Sequence, residues 1–399
     1  MSDVTPDLPF EAIDPVYRRF IDDCLALYGL DPARFCRPLP GRDEMFFKAI
    51  LPNYEGDASI AAYKFVEATM RHYEAYRQIV DGALGGFDRL GNVLDFASGW
   101  GRLTRVLEQR LKPEQIWVAD IYHDAVAWQA ATFGVHAVPS APDPKLLKHG
   151  AKHDLVFVGS MFSHLPDSLF RAWLKTLYGL LSERGVLAFS VHDETFLPAY
   201  EPRDPSGLSY IRTSESGSLD TEIYGMSYVT EAYVAAAIGK LGGLFGKKPA
   251  WRRYPKALYE NQDLYVVAAP GADISRLNVA APPMGGFEAA TILPTGEVEW
   301  TGWALERTPG RAITTLMAHV DGAPVAEITP DGERPDVLQH FPGAANAPVG
   351  WRLRLAAPPG ALLRLQLNST SGLAGYLHAE VPRGGALTYA GWSRRGLRT

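Results

Sequence analysis

The sequence predicts an α/β chain: a doubly wound, mainly parallel sheet between a helical N-terminal region and a C-terminal all-β sandwich. Three observations carry this. Between about Asp88 and Gly271, short apolar runs alternate with helical stretches, the pattern of a parallel sheet covered on both faces. Ahead of it, apolar residues recur at mostly three- and four-residue intervals, as in Tyr63, Phe65, Val66, Met70, Tyr73 and Tyr76. Beyond residue 286 helical periodicity disappears, and short strand-like runs follow one another between turn signals. The boundaries expected are a helical cap over 1–87, the α/β domain over 88–272 and the sandwich over 283–383.

In chain order, the first region reads as helices broken at Pro15, Pro32, Pro38–Pro40 and Pro52. Strands follow over Val93–Phe96, Ile116–Asp120, Val135–Val138, Asp154–Val158 and Gly185–Val191. Helices over Thr104–Leu111, Ala125–Phe133 and Ser168–Leu181 alternate with them. Asp193–Gly225 is polar and without clear period. Thr230 reads as the N-cap of a helix over Glu231–Leu241. Ala250–Tyr254 and Asp263–Ala268 form an antiparallel pair closing the sheet. In the last region, Asp321-Gly322 between two apolar runs is a hairpin signal. The stretch Gly384–Thr399, with Arg394, Arg395 and Arg398, reads as a solvated tail.

Composition sets limits. At 399 residues the chain is longer than one average domain. A net charge of −6 argues against a global electrostatic grip on nucleic acid or anionic membrane. No apolar run approaches the ~20 residues of a membrane helix, and MSDVTPDLPF lacks the features of a secretory signal, so a cytoplasmic location is the expectation. Cys24 and Cys36, the only cysteines, exclude a disulfide framework and a cysteine zinc cluster, and read as packing thiols.

The most informative segment is Val93-Leu94-Asp95-Phe96-Ala97-Ser98-Gly99-Trp100-Gly101-Arg102-Leu103-Thr104. A buried strand ends in an acid, and a small-residue turn then feeds a helix. Small residues let backbone approach a ligand where a Cβ would collide. In an open α/β sheet this is the crevice at the carboxyl ends of the strands. A second acid, Asp120, ends the next strand, where a carboxylate accepts hydrogen bonds from ribose hydroxyls. Together they point to a nucleoside-bearing cofactor. Thr104 stands where a dinucleotide fingerprint needs its third glycine. Asp95, ahead of the glycines, repels a pyrophosphate but suits a cationic amino acid end.

This arrangement resembles the class I S-adenosylmethionine-dependent methyltransferases, whose first motif is acid-x-Gly-x-Gly-x-Gly; Ala97 replaces its first glycine. The resemblance covers Asp88–Ala269. It implies a Rossmann-like methyltransferase sheet with a reversed last strand, here Asn261–Val267, and S-adenosyl-L-methionine as cofactor. The cofactor contacts it implies are Asp95, Ala97, Ser98, Gly99, Gly101, Arg102, Asp120, Ile121 and Tyr122. Ser160, Met161 and Phe162, in the loop after the fourth strand, are placed beside the methyl or adenine, and Tyr63 over the amino acid end. Ordinary packing is the alternative for Tyr63, Met161 and Phe162, and a surface ion pair for Arg102. His123 is placed near the adenosine or on the surface.

Methyl transfer to a hydroxyl needs the nucleophile aligned and its proton removed. His164 in Ser163-His164-Leu165-Pro166 is the first choice as base, with a backbone-bonded structural histidine as alternative. His192 in Val191-His192-Asp193-Glu194 is the second, with a divalent-metal site or a solvated loop as alternatives; no metal is assigned. Tyr200, Tyr210, Arg212, Glu215 and Tyr224 of the polar stretch suit a polyhydroxylated acceptor, and Tyr224–Val229 is similar to a segment of methyltransferases encoded beside glycan-building enzymes. The function expected is O-methylation of a sugar or polysaccharide hydroxyl. The alternatives are methylation of a small aromatic or amine metabolite, or a non-catalytic glycan- or partner-binding scaffold. The sandwich resembles accessory β-domains of glycan enzymes. Its Trp300, Trp303 and Trp351 read as core residues, with sugar stacking as the alternative, and a homo-oligomer through the sandwich is a further expectation.

Overall fold

The computed structural model describes residues 5–214, 216–259, 261–308, 311–341 and 348–384, and the backbone of 389–390. Glu215 and the predicted basic tail lie outside the described residues. The chain divides into two compact units: residues 1–9, 33–56 and 68–279 form the first, and 10–32, 57–67 and 280–399 the second. The N-terminal 87 residues, read from sequence as one cap, are therefore shared between the two.

The first unit is built on strands β1 (Val93–Phe96), β2 (Ile116–Asp120), β3 (His136–Pro139), β4 (His153–Val158) and β5 (Leu181–Asp193), all parallel in the order β3-β2-β1-β4-β5. Strands β6 (Leu208–Ile211) and β7 (Met226–Val229) pair with each other, and β7 joins the far end of β5 at His192 and Asp193. Strand β9 (Gln262–Ala268) runs antiparallel to β5, and β8 (Trp251–Tyr254) antiparallel to β9. The predicted reversed closing strand is thus present.

Strands β1 and β4 are buried along their whole length, which is why they read as unbroken apolar runs. Helix Asp167–Tyr178 turns Phe170, Trp173, Leu174 and Leu177 onto Phe96, Val156, Val158 and Phe189 of the sheet. Each such side chain contributes about 1.5–3 kcal/mol through burial. Sequence progression runs one way from β1 to β3 and the other way from β4 to β5, so β1 and β4 flank the topological switch point. Three differences from the sequence reading matter. Strand β5 is longer at both ends. Strands β6 and β7 arise where no period was legible. The predicted helix over Thr104–Leu111 is regular only to Leu107, then continues as turns.

The second unit carries two antiparallel sheets. One has β10 (Met284–Ile292), β11 (Val298–Leu305) and β14 (Gly350–Leu355) in the order β10-β11-β14. The other has β12 (Ile313–Val320), β13 (Ala323–Ile328), β15 (Leu362–Ser369), β16 (Ala374–Glu380) and β17 (Tyr389–Ala390) in the order β13-β12-β15-β16-β17. Phe287, Trp300 and Leu353 from the first share one core with Leu316, Leu365 and Leu377 from the second. The β12–β13 hairpin turns at Asp321 (φ 47°) and Gly322 (φ 85°), the two left-handed residues its turn type demands. Trp300, Trp303 and Trp351 are buried, so they serve the core and offer no face to a sugar.

Candidate active site

At the switch point, the loops after β1, β2 and β4 surround a cavity with the carboxyl end of β5 and a wall from the N-terminal segment. Of the residues singled out from the sequence, Ala97, Gly99, Asp120, Ile121, Tyr122, Ser160, Met161, His164 and His192 line it. The loops are strained open. Ala97 (φ 60°) and Ser160 (φ 64°) both adopt the left-handed conformation that favours glycine. Ala97 thus keeps the glycine-like backbone of the motif position it occupies.

The β1 loop is fixed from below. Asp120 accepts from the backbone N–H of Gly99 at 2.7 Å through Oδ2 and from that of Tyr122 at 2.9 Å through Oδ1. Gln129, on helix His123–Phe133, donates to Ser98 Oγ at 2.9 Å and to the Gly99 carbonyl at 2.8 Å. A Cβ on Gly101 would lie 2.9 Å from Gln129 Oε1, and the φ of 78° adds strain to any substitution. Ser98 and Gly101 are therefore the frame of the loop rather than part of the cavity wall. His123 Nε2 lies 2.8 Å from the Ser140 carbonyl, next to the wall.

Asp95 lies just behind the wall. It is buried, its Oδ2 has no hydrogen-bond partner, and burial together with the nearby Asp120 charge pushes its carboxyl up to about 7. Burial also raises Asp120, against the pull of its backbone N–H donors. Arg102 faces His72, with its guanidinium 3.1 Å from Nδ1, and lies over the Tyr259 ring. The Tyr259 hydroxyl reaches the same Nδ1 at 3.0 Å. Guanidinium only donates, so Nδ1 accepts and the proton sits on Nε2. That Nε2–H is buried without a partner, beside Gly159 of the wall. An orphaned acceptor on Asp95 and an orphaned donor on His72 thus flank the paired ends of β1 and β4. The set fits an amino acid end carrying both ammonium and carboxylate.

Two expectations are corrected. Tyr63 belongs to the second unit, where it is buried and its hydroxyl lies 3.0 Å from His378 Nδ1; it is not part of this cavity. Phe162 is fully buried, its ring 4.8 Å from those of both Phe170 and Phe189, so it packs the core.

The two histidines are brought together, their ring centroids 5.9 Å apart. His164 Nδ1 lies 2.7 Å from the Gly225 carbonyl, which can only accept, so Nδ1 carries a proton. The Tyr224 ring stacks on His164 at 4.6 Å. Backbone N–H groups of Gly225 and Ser227 donate to the carbonyls of His164 and Ser163, strapping the loop to the start of β7. His192 Nε2 stands 3.4 Å from Asn261 Nδ2. Burial, then the neighbouring His164, lowers its pKa to about 4, so it is neutral at pH 7. Asp193 pairs with Arg253 and Glu194 with Arg203, so those carboxylates are engaged elsewhere; among the described residues no group of three potential metal ligands gathers.

The sequence reading missed Asp43 and Glu44, which complete the wall. Glu44 Oε2 accepts from the hydroxyls of Tyr122 at 3.1 Å and Ser216 at 3.0 Å. Of the polar stretch, Tyr224 lines the cavity, whereas Tyr200 is exposed, Tyr210 donates to the Thr221 carbonyl and Arg212 pairs with Glu222.

Residues 68–223, less than half of the chain, match a family model described as a methyltransferase domain. No curated protein matches. Among solved structures, the chain is similar to a DhpI-SAM-HEP complex at 15% identity and a TM-score of 0.36, covering 56% of this chain and 94% of that one. A S-adenosylmethionine-dependent methyltransferase from Clostridium acetobutylicum ATCC 824 is 15% identical with a TM-score of 0.36, over 52% of this chain and 92% of that one. A Burkholderia thailandensis 1,6-didemethyltoxoflavin-N1-methyltransferase is 19% identical with a TM-score of 0.36, over 51% and 79%. The family match falls on the stretch that holds the motif loop, both strand-tip acids and the His164 loop, so residues 68–223, which carry the candidate site, are similar to a methyltransferase domain.

Proposed function

We propose that the protein transfers a methyl group to a hydroxyl of a sugar or polysaccharide. The observation that carries this is the placement of His164: a buried imidazole in the cavity wall, held by its Nδ1–H on the Gly225 carbonyl. An amine acceptor loses its proton to water before attack. A hydroxyl needs a base in place during attack, and such a base is typically worth 10²–10⁴-fold in rate.

In this reading Asp95 pairs with the cofactor ammonium, and the His72 Nε2–H meets its carboxylate with Arg102 behind. Asp120 takes the ribose hydroxyls, with Ile121, Tyr122 and Met161 beside the nucleoside. The cofactor supplies a methyl already activated on a sulfonium. With the cofactor bound, attack by the acceptor oxygen on that methyl would leave the carbon–sulfur electron pair on sulfur, and the part of this chain's residues would be to align the oxygen and take its proton. His164 is the residue that receives it in this reading. The polar inner wall of His192, Asn261 and Tyr224 supports a polyhydroxylated acceptor.

The test is a methyl-transfer assay with labelled S-adenosylmethionine against glycosides, phenols and amines, with mass spectrometry of the product. O-methylation of a glycoside is expected, and His164→Ala is expected to lower kcat by about 10²–10⁴ without weakening cofactor binding. Transfer to amines alone, unaffected by His164→Ala, contradicts the proposal.

A further inference from the structure

We propose that Gln262 is a positioning residue of the cofactor site: through Ser190 and the Ser160 hydroxyl it holds Ser160 in its left-handed conformation, and so fixes the loop that follows β4. This rests on the cofactor reading given above and adds to it a residue that acts through its neighbours on β5 and the β4 loop.

The first ground is backbone strain. Ser160 has φ 64°, a conformation that glycine takes freely and serine takes only under constraint. Such a residue persists where its surroundings over-determine it. Here each polar group of Ser160 is held. Its N–H donates to Ser190 Oγ at 2.8 Å, its Oγ accepts from Gln262 Nε2 at 2.8 Å, and its carbonyl accepts from the Ser163 hydroxyl.

The second ground is the direction of these bonds. A backbone N–H only donates, so Ser190 Oγ accepts from Ser160 and gives its own proton to Gln262 Oε1, at 2.7 Å. The amide is thereby turned with its oxygen on Ser190 and its nitrogen on Ser160 Oγ, which also lies 3.1 Å from the amide oxygen. Gln262 thus supports Ser160 twice, at the backbone through Ser190 and at the side chain directly. Gln262 reaches the cavity edge, but both ends of its amide are spent on the two serines. Register sets the reach. Ser190 lies opposite Leu264 and Gln262 opposite His192, so Gln262 is the diagonal neighbour of Ser190 on one face of the sheet. Ser190 follows Phe189, which lies opposite Val158, the last residue of β4.

The third ground is what the loop carries. Gly159, Ser160 and Met161 all line the cavity. On one side of Ser160, a Cβ at Gly159 would lie 3.1 Å from His72 Nε2, so the chain there is pressed against that ring. On the other side, the His164 N–H donates to the Met161 carbonyl at 3.0 Å. A change of φ at Ser160 re-aims one side against the other. Met161 and the turn to His164 therefore keep their place in the wall only while Ser160 stays left-handed.

The experiment is isothermal titration of the full chain with S-adenosylhomocysteine, with circular dichroism to establish folding. Gln262→Met keeps the side-chain volume and removes both bonds. With the loop released, binding must restore a strained φ, so affinity is expected to fall about tenfold at unchanged stoichiometry. Adding Ser160→Gly removes both the strain and the orphaned hydroxyl, and is expected to return affinity to within about threefold of the parent. Ser190→Ala, alone and with Ser160→Gly, is read in the same way and covers a Gln262→Met chain that does not fold. A parent that binds while Gln262→Met and Ser190→Ala bind as tightly overturns the inference and leaves the cofactor reading standing. Weakened binding that Ser160→Gly does not restore gives Gln262 another part than holding Ser160, and overturns it too. A folded parent that binds nothing overturns both.

Discussion

In the proposed reading cofactor recognition turns on Asp95, whose carboxyl is poised to ionise near neutral pH. Burial and the Asp120 charge hold its carboxyl at about 7 in the chain alone, whereas pairing with an ammonium requires the carboxylate. Binding below that value must therefore release a proton. Affinity for S-adenosylmethionine is expected to rise about tenfold per pH unit from pH 5.5 toward 7 and then to level off. Asp95→Asn is expected to weaken binding and abolish the slope. Fluorescence titrations across that range, with a flat wild-type profile as the adverse outcome, check it. Asp95, Gly99 and Asp120 were legible in the sequence because strand tips and small-residue turns are local patterns. His72 and Asp43 were not: nothing near either in sequence signals the cavity, and only the folded chain brings them to it.

Among the elements, the N-terminal wall depends on one side chain. Arg105 is fully buried and donates to three carbonyls, Phe35 at 2.9 Å, Arg37 at 2.6 Å and Pro38 at 2.9 Å. Those bonds anchor the segment that leads into Asp43 and Glu44. Arg105→Ala is expected to destabilise the fold by about 3 kcal/mol, since it leaves the buried Phe35 carbonyl unpaired and a cavity behind. Urea denaturation measures this; a loss below about 0.5 kcal/mol contradicts the anchoring role. The parallel strands were legible as buried apolar runs. Strands β6 and β7 were not, because each has only four residues, and Met226–Val229 pairs with β5 through just two of them. Helix Ala58–Ile79 shows why Tyr63 was misplaced: its apolar period marks buried positions but not which core receives them, and Tyr63 and His72 fall in different units.

On the scale of the whole molecule, the second unit is built from both ends of the chain. Asp23, on helix Pro15–Leu27, accepts from Arg364 at 2.8 Å and meets His378 Nε2 at 2.9 Å, and His378 in turn meets Tyr63. Burial raises the Asp23 carboxyl, but its bonds to His378 and Arg364 prevail and leave it below the usual carboxylate value. Its contribution is accordingly present above the unfolded carboxylate pKa and is lost as pH falls through the folded one. Asp23→Ala is expected to cost about 3 kcal/mol at pH 7 by leaving Arg364 and His378 without their acceptor. Removing residues 280–399 strips helix Pro15–Leu27 of its bonds to Arg364, His378 and Glu380 and of the His378 ring stacked on Phe20, so that truncation is expected to aggregate or lose its N-terminal helical signal. A truncated chain as stable and helical as residues 1–279 of the full protein contradicts this.

The central claim is that the tips of β1 and β2 hold a cationic nucleoside. Isothermal titration of the full chain with S-adenosylmethionine addresses it most directly, with Asp120→Ala as the paired sample and circular dichroism to establish folding of both. Saturable one-to-one binding by the parent chain, weakened at least tenfold in the variant, is the expected result. A folded parent that gives no heat, or a variant that binds as tightly as the parent, contradicts the claim.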